Sequence, residues 1–271
     1  MSTMTVRPRH TGASRQVADW ALWRHGGRWL VPLAIVLLWQ ALHMLLTSAD
    51  VASPGQSAGA LADNFSLWWP DLLVTVQGLA LSFALATIIG VTVGFLLGLS
   101  RFWYQVVSPL LLVAYAIPKI VLYPILLTAL GLTLEAQVAF SVLHGVFPIM
   151  LLTATATTTV PRIHLRVADA YRLSLQQRLR LVVLPAIAPS VVAALRIGFG
   201  ACFLGLILAE MFAAYDGLGY RITKYAADGN TERLLALVLL VALLAFLVTY
   251  SIYLWEERRA RRLGLNGIAA G

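Results

Sequence analysis

Three ionisable side chains, Lys119, Arg196 and Glu210, sit inside apolar stretches of this 271-residue chain. A charge in hydrocarbon is unfavourable by about 3 kcal/mol or more, so such residues pair, satisfy bent backbone or line a path for a polar solute. Lys119 follows Pro118, at a kink where proline frees backbone carbonyls. A cation there can meet those carbonyls or draw an anion into the membrane. Arg196 lies early in its apolar stretch, and Glu210 lies near the outer end of the same stretch, where it can hold a loop. His144, beside Gly145 and near Pro148, reads as a core histidine with a satisfied ring. A second set stands in a polar stretch. Arg162, Arg166, Asp169, Arg172, Gln176 and Arg180 recur at spacings of 4, 3, 3, 4 and 4, which predicts one face of a single helix. Ile163, Val167, Ala170, Tyr171 and Leu175 fall on the other side. Pro161 suits the first turn and Pro185 ends the pattern. Such a basic amphipathic helix either lies on anionic lipid or is gripped by a partner from the cytoplasmic side.

Other chemistry is missing from the sequence. There is no Gly-x-x-x-x-Gly-Lys-Ser/Thr phosphate loop, no His-Glu-x-x-His zinc motif and no nucleophile elbow. The histidines, His10, His25, His43, His144 and His164, are scattered over different segments. The single cysteine, Cys202, allows no disulfide within the chain and reads as a small buried hydrophobe. The sequence therefore predicts no enzyme, no metal and no cofactor.

The elements that must position these residues are membrane helices. The chain is 60% hydrophobic and only 12% charged, with mean hydropathy +0.82, against roughly 25% charged for a soluble domain. Long apolar runs near 20 residues predict transmembrane helices, and none alternates as a barrel strand would. Six runs qualify: 29–46, 79–99, 106–132, 136–157, 190–213 and 234–254. The first is too long for a signal-peptide core and lacks a small-residue cleavage site, so it reads as an anchor. The polar stretch from Ser48 to Pro70, closed by Trp68 and Trp69, predicts an outer loop or short surface helix with an aromatic anchor. Gly90, Gly94 and Gly98 recur every four residues, a stripe that lets helix backbones approach closely. Arginines crowd the first 28 residues, the 162–180 stretch and the last residues, while Asp50, Asp63, Asp71, Glu135, Asp216, Asp228 and Glu232 occupy the opposite loops. This asymmetry places both termini and the 162–180 stretch in the cytoplasm. It also accounts for the net charge of +8, so the basic balance does not imply nucleic-acid binding.

The order of several short motifs gives the chain a family resemblance. Ser53-Pro54, Thr75, Ile117-Pro118, Pro124 and Gly131 are followed by Ala168, Leu184-Pro185, Leu195-Arg196-Ile197, Glu210-Met211 and Gly217-Leu218-Gly219. In this order they resemble the permease subunit of a bacterial binding-protein-dependent ABC importer, of the nitrate/sulfonate/taurine class. The resemblance covers about Ser53 to Trp255. It implies an all-α polytopic membrane protein with about six spans and a cytoplasmic coupling helix. A tail, residues 1–28, precedes the membrane domain, residues 29–255 with the coupling segment at 161–185. A second tail, residues 256–271, follows. It also implies a site in two parts. Arg162, Arg166, Ala168, Asp169, Arg172, Gln176, Arg180, Leu184 and Pro185 would couple to an ATPase, and Pro118, Lys119, Arg196 and Glu210 would lie along the pathway. The implied partners are a second permease subunit, two ATP-binding subunits, a periplasmic or lipid-anchored solute-binding protein and the lipid bilayer of the inner membrane. ATP hydrolysis is expected in a partner, and the solute is expected to be a small anion such as a sulfonate, nitrate or carboxylate. The family signature places Glu and Gly where this chain has Arg166 and Arg172. An ATP-independent carrier or channel, or a scaffold without transport, would be the alternatives.

Overall fold

The computed structural model of the chain describes residues 30, 32–46 and 51–262, and among these there is no strand. The expected tails, residues 1–28 and the end of 256–271, therefore lie outside the described residues or only partly within them. A short apolar helix, α1 (Pro32–Leu45), comes first. It is tied at its outer end by Trp39 Nε1, which donates to the Ala52 carbonyl at 3.0 Å, and by His43 Nδ1, 2.6 Å from the Val51 carbonyl.

The second helix, α2 (Pro54–Leu99), runs for 46 residues. The loop or short surface helix expected from Ser48 to Pro70 is corrected here: from Pro54 onward it is the first part of the long helix α2. Ser53 explains the start. Its hydroxyl accepts from Gln56 N, and the Gln56 side chain accepts from Ser53 N at 2.8 Å, a capping box that closes two orphan donors. A helix of this length rises about 69 Å, so its first turns stand beyond a hydrocarbon core of about 30 Å. Trp68 is no lipid anchor. It is fully buried, and its Nε1 donates to the Tyr225 hydroxyl at 3.2 Å.

Ser100 caps α3 (Arg101–Ala116), which ends at Ile117-Pro118. A 3₁₀ turn, Lys119–Leu122, and α4 (Tyr123–Leu130) follow. The two arms are bent by 82°, so the kink expected within the run 106–132 is a full break between two helices. Proline cannot continue the hydrogen-bond ladder, and the residue before it avoids the helical region. Helix α5 (Leu134–Thr158) then packs along α2 and along α8 (Leu184–Ala213). The core between them is Leu79, Ala86, Val146, Ile149, Met150, Phe199, Cys202, Phe203 and Leu206. The glycine stripe of α2 faces α5. A Cβ at Gly90 would lie 2.8 Å from Ile149 Cβ, and one at Gly98 would lie 2.6 Å from the Ala154 carbonyl.

Between α5 and α8 the expected single helix over 162–180 is divided. Helix α6 (Arg162–Ala170) is followed by a turn, by α7 (Leu175–Arg178) and by a π turn, Leu179–Val183, that feeds α8. Two causes divide it. Arg172 takes φ +48°, and the Leu173 and Arg172 amides donate to the Ala168 and Asp169 carbonyls, both at 3.0 Å. That is a Schellman stop. Pro185 then has no amide for Leu181, and the Leu184 amide reaches back to Leu179 instead, which widens the turn. Pro185 thus opens α8 rather than ending the helical path. Helix α9 (Leu218–Ala227) follows, and α10 (Thr231–Arg262) is the last described helix. Four stretches are long and apolar enough to cross a membrane (α2, α5, 175–213 and 231–255), and the bent α3–α4 pair makes a fifth. The expected count of six rests on α1, which is shorter, and part of its expected run lies outside the described residues.

The same Schellman stop ends α9, where Gly229 takes φ +65°. Left-handed backbone costs a non-glycine residue about 1–2 kcal/mol, partly offset by glycine's larger entropy loss on folding. Arg172→Gly is therefore expected to stabilise the fold by about 0.5–1 kcal/mol. Thermal melting of the purified protein should rise by about 1–4 °C. A lower melting temperature would show that the arginine stem has packing that outweighs the backbone strain.

Candidate functional site

At the end of the bundle where α2 ends and α5 ends, α6 and α7 pack against the spans. Leu165 and the fully buried Ala168 form the packed face of α6. Beside it lies a cavity of about 290 Å³ lined by Gly98, Thr157, Thr158, Leu165, Leu175 and Arg178, among others. The segment is therefore seated on the spans through a narrow contact. Arg162 and Arg166 are exposed on α6, Arg172 is exposed in the stop, Gln176 on α7, and Arg180 in the π turn. These residues do not share one helix face, because the φ change at Arg172 turns the chain. Asp169 and Arg178 pair at 3.0 Å, both partly exposed, a surface bridge worth at most about 1 kcal/mol. Leu184 and Pro185 stand exposed at the first turn of α8. Ser174 was not among the expected site residues, although its signal was present in the sequence. It caps α7 by a box with Gln177, whose side chain accepts from Ser174 N at 2.9 Å.

At the bend, Pro118 precedes the 3₁₀ turn and Lys119 is buried, 8% exposed. Lys119 Nζ donates to the Tyr115 carbonyl at 2.8 Å, one of the orphan acceptors at the end of α3. It also lies 4.8 Å from the Tyr115 ring centre and 5.5 Å from that of Phe147, within cation–π range. His144 Nδ1 is 3.0 Å from the Phe140 carbonyl.

At the opposite end of the bundle, Glu210 is 1% exposed at the end of α8. Its Oε2 accepts from the Gly219 amide at 2.8 Å and from the Thr75 hydroxyl at 3.0 Å. Thr75 in turn accepts from the Leu218 amide at 2.9 Å. Asp71 accepts from the Gly217 amide at 3.1 Å and from Arg221 Nε at 2.8 Å. Side chains of α2 and α8 thus take up three successive amides at the start of α9, which would otherwise lack partners. Gly217, at φ +93°, leaves room for this: a Cβ there would sit 2.6 Å from the Glu210 carboxyl carbon. Sequence reading had singled out Glu210 and the Gly-Leu-Gly turn, but not Asp71 or Arg221 as site residues. Each lies too far along the chain from its partner for spacing to join them.

The expected pathway residues do not form one constellation. The bend and the outer cluster are neighbours, since the Tyr123 hydroxyl donates to the Ala209 carbonyl at 3.2 Å. Arg196 lies about 21 Å along α8 from Glu210. It is partly buried and already engaged in a contact.

The model of the family described as "binding-protein-dependent transport system inner membrane component" matches residues 86–262. Among similar proteins, the nitrate import permease of Leptolyngbya laminosa is 28% identical over 64% of this chain and 62% of its own length. The bicarbonate transport system permease of Synechococcus elongatus is 30% identical over 64% of this chain and 62% of its own. The taurine transport system permease of Escherichia coli is 25% identical over 70% and 69%. The chain thus spans somewhat under two thirds of the length of the nitrate permeases it matches. A chain of a methionine ABC transporter, solved in inward-facing conformations, shares the fold with TM-score 0.61 at 24% identity, over 74% of this chain and 97% of that one.

Proposed function

The chain belongs to the family of binding-protein-dependent transport system inner membrane components, and from that premise we propose that it is the permease subunit of an ABC importer for a small anion. One observation carries the coupling half of this reading. The α6–α7 segment hangs exposed beneath the three-helix core and runs through a π turn directly into α8, so a push on α6 is delivered to a core helix. The solute class is supported by the relatives, whose names refer to nitrate, taurine, bicarbonate and aliphatic sulfonates. In this reading a second permease subunit covers the exposed apolar residues of α3, the 3₁₀ turn and α4, among them Val106, Leu110, Val113, Val121 and Ile125. Two ATP-binding subunits grip α6 from the cytoplasm, where both termini lie. A periplasmic or lipid-anchored solute-binding protein delivers the anion at the outer side. Arg162, Arg166, Ala168, Asp169, Arg172, Gln176, Arg180, Leu184 and Pro185 are the proposed coupling residues.

The test is uptake by the reconstituted complex. With ATP-binding subunits and the solute-binding protein present, proteoliposomes should accumulate one of nitrate, bicarbonate, taurine or an alkanesulfonate only when ATP is supplied. Accumulation without ATP would make the chain a secondary carrier. Assembly without uptake of any of these anions would leave a scaffold.

Pro118, Lys119, Arg196 and Glu210 remain part of the proposal as residues that shape the pathway. The Lys119 contacts favour a role in fixing the bend. Lys119→Met removes the charged Nζ bond to the Tyr115 carbonyl, a loss of about 1–3 kcal/mol. Melting temperature and assembly should therefore fall together, and uptake should fall in proportion for every substrate. Normal assembly with a loss that grows with substrate charge would instead put the ammonium in contact with solute.

A further inference from the structure

On α6, successive residues are 100° apart, so Leu165 and Ala168 define the packed face. Ile163, Val167 and Ala170 then lie within about 60° of one another on the nearly opposite face. Ile163 is 61% exposed and Val167 49%. Arg166 and Arg162 flank this strip on one side, and His164 and the exposed Tyr171 flank it on the other. The strip turns away from the spans on which α6 packs. A helix resting on lipid directs its apolar strip into the bilayer, so this orientation favours a protein partner. The charges narrow the partner further. Asp169 is the only acid between Arg162 and Val183, and it is taken by Arg178. Arg162, Arg166, Arg172 and Arg180 are exposed, and no described acid pairs with them.

We propose that this face of α6 seats in a groove of the ATP-binding subunit that has an apolar floor for Ile163 and Val167 and an acidic rim for Arg162 and Arg166. The inference rests on the importer reading and adds to it the chemistry of the partner's surface. Complementary charge across an interface fixes partner choice and register, and like charge rejects a wrong partner. A basic or neutral rim would leave two guanidinium groups unmatched beside the seat. This chain is therefore selective for an acidic-rimmed ATP-binding subunit.

The experiment uses the full chain, co-expressed with its ATP-binding subunit and purified in nanodiscs. The Arg162→Glu/Arg166→Glu variant should lower the co-purified ATP-binding subunit at least about tenfold at low salt. Insertion and melting should stay as in the wild type, because both side chains are exposed. The wild-type complex should loosen as salt rises, and that salt dependence should weaken in the variant. The Ile163→Ser/Val167→Ser variant should also lose the partner, but with the wild-type salt dependence. Lysine substitutions on the acidic rim of the partner should restore binding to the glutamate variant. An intact complex with unchanged salt dependence in the glutamate variant overturns the inference and leaves the importer reading standing. A loss confined to phosphatidylglycerol nanodiscs, and absent in phosphatidylcholine, assigns the arginines to lipid and overturns it as well. A wild-type chain that captures no ATP-binding subunit removes the importer reading, and the inference falls with it.

Discussion

Gly94→Leu should strongly destabilise the packing of α2 on α5. A Cβ at this position runs into the Met150 carbonyl of α5, and it lies 3.0 Å from Thr153 Cβ. The obstacle is backbone, so no side-chain rotation relieves it. Overpacking a core typically costs about 1–3 kcal/mol, and a clash with backbone across two long helices should lie at or above the upper end. Against a total stability of about 5–15 kcal/mol, that takes a large share of the margin and shows as a clear fall in melting temperature and protease resistance. Gly200 in α8 supplies the control. Nothing lies within 4 Å of a Cβ placed there, so Gly200→Leu adds the same apolar bulk in the same membrane without the clash. The measurement is melting and protease resistance of the purified chain. Gly94→Leu should lower both, and Gly200→Leu should keep both. Wild-type melting of Gly94→Leu would mean that α2 and α5 are farther apart than the glycine stripe requires.

That stripe was legible in the sequence because small residues four apart announce a close helix pair without naming the partner. The start of α2 carried a readable signal too: Ser53 and Gln56 have capping-box spacing, and Pro54 suits a first helical position. The polar composition over 48–70 nevertheless read as a loop or short surface helix, since one long helix can carry a polar outer end and an apolar span. The division of the 162–180 stretch was not legible. Its arginines keep helical spacing throughout, and a left-handed stop is ordinarily marked by glycine, as Gly229 marks the end of α9. Here the position holds Arg172, so residue type gave no warning. The bend at Ile117-Pro118 could be expected from proline, but its 82° could not. The outer cluster was half legible. Glu210 and Gly217-Leu218-Gly219 lie close in sequence, whereas Asp71 and Thr75 reach their partners across more than 130 residues.

Glu210→Ala should detach α9 from the core and stop uptake while the chain still inserts. The start of α9 is held at three amides by Asp71, Thr75 and Glu210. Removing the Glu210 carboxylate takes the partner from the Gly219 amide and from the Thr75 hydroxyl together. A buried donor left unmade costs about 1–3 kcal/mol, so two such losses should exceed the free energy that holds a ten-residue helix in place. The α2–α5–α8 core should persist, because Glu210 is not among its apolar residues. Proteolysis near Lys224 should accelerate, and uptake should fall at least about tenfold. Asp71→Asn should be milder. Its amide oxygen still accepts from Gly217, and only the hydrogen-bonded charge pair of the buried Asp71 with Arg221 is lost, about 1.5–3 kcal/mol. Gly217→Ala should resemble Glu210→Ala, since its Cβ would displace the same carboxylate. The double variant Asp71→Ala/Glu210→Ala separates one shared anchor from two independent ones. Residues that hold the same turn are coupled, so their losses do not add. Once Glu210→Ala has freed α9, removing Asp71 should change little more. Fully additive losses in melting and in protease sensitivity would mean that the two carboxylates hold separate pieces of structure, and that α9 is not fixed as one unit by its first turn.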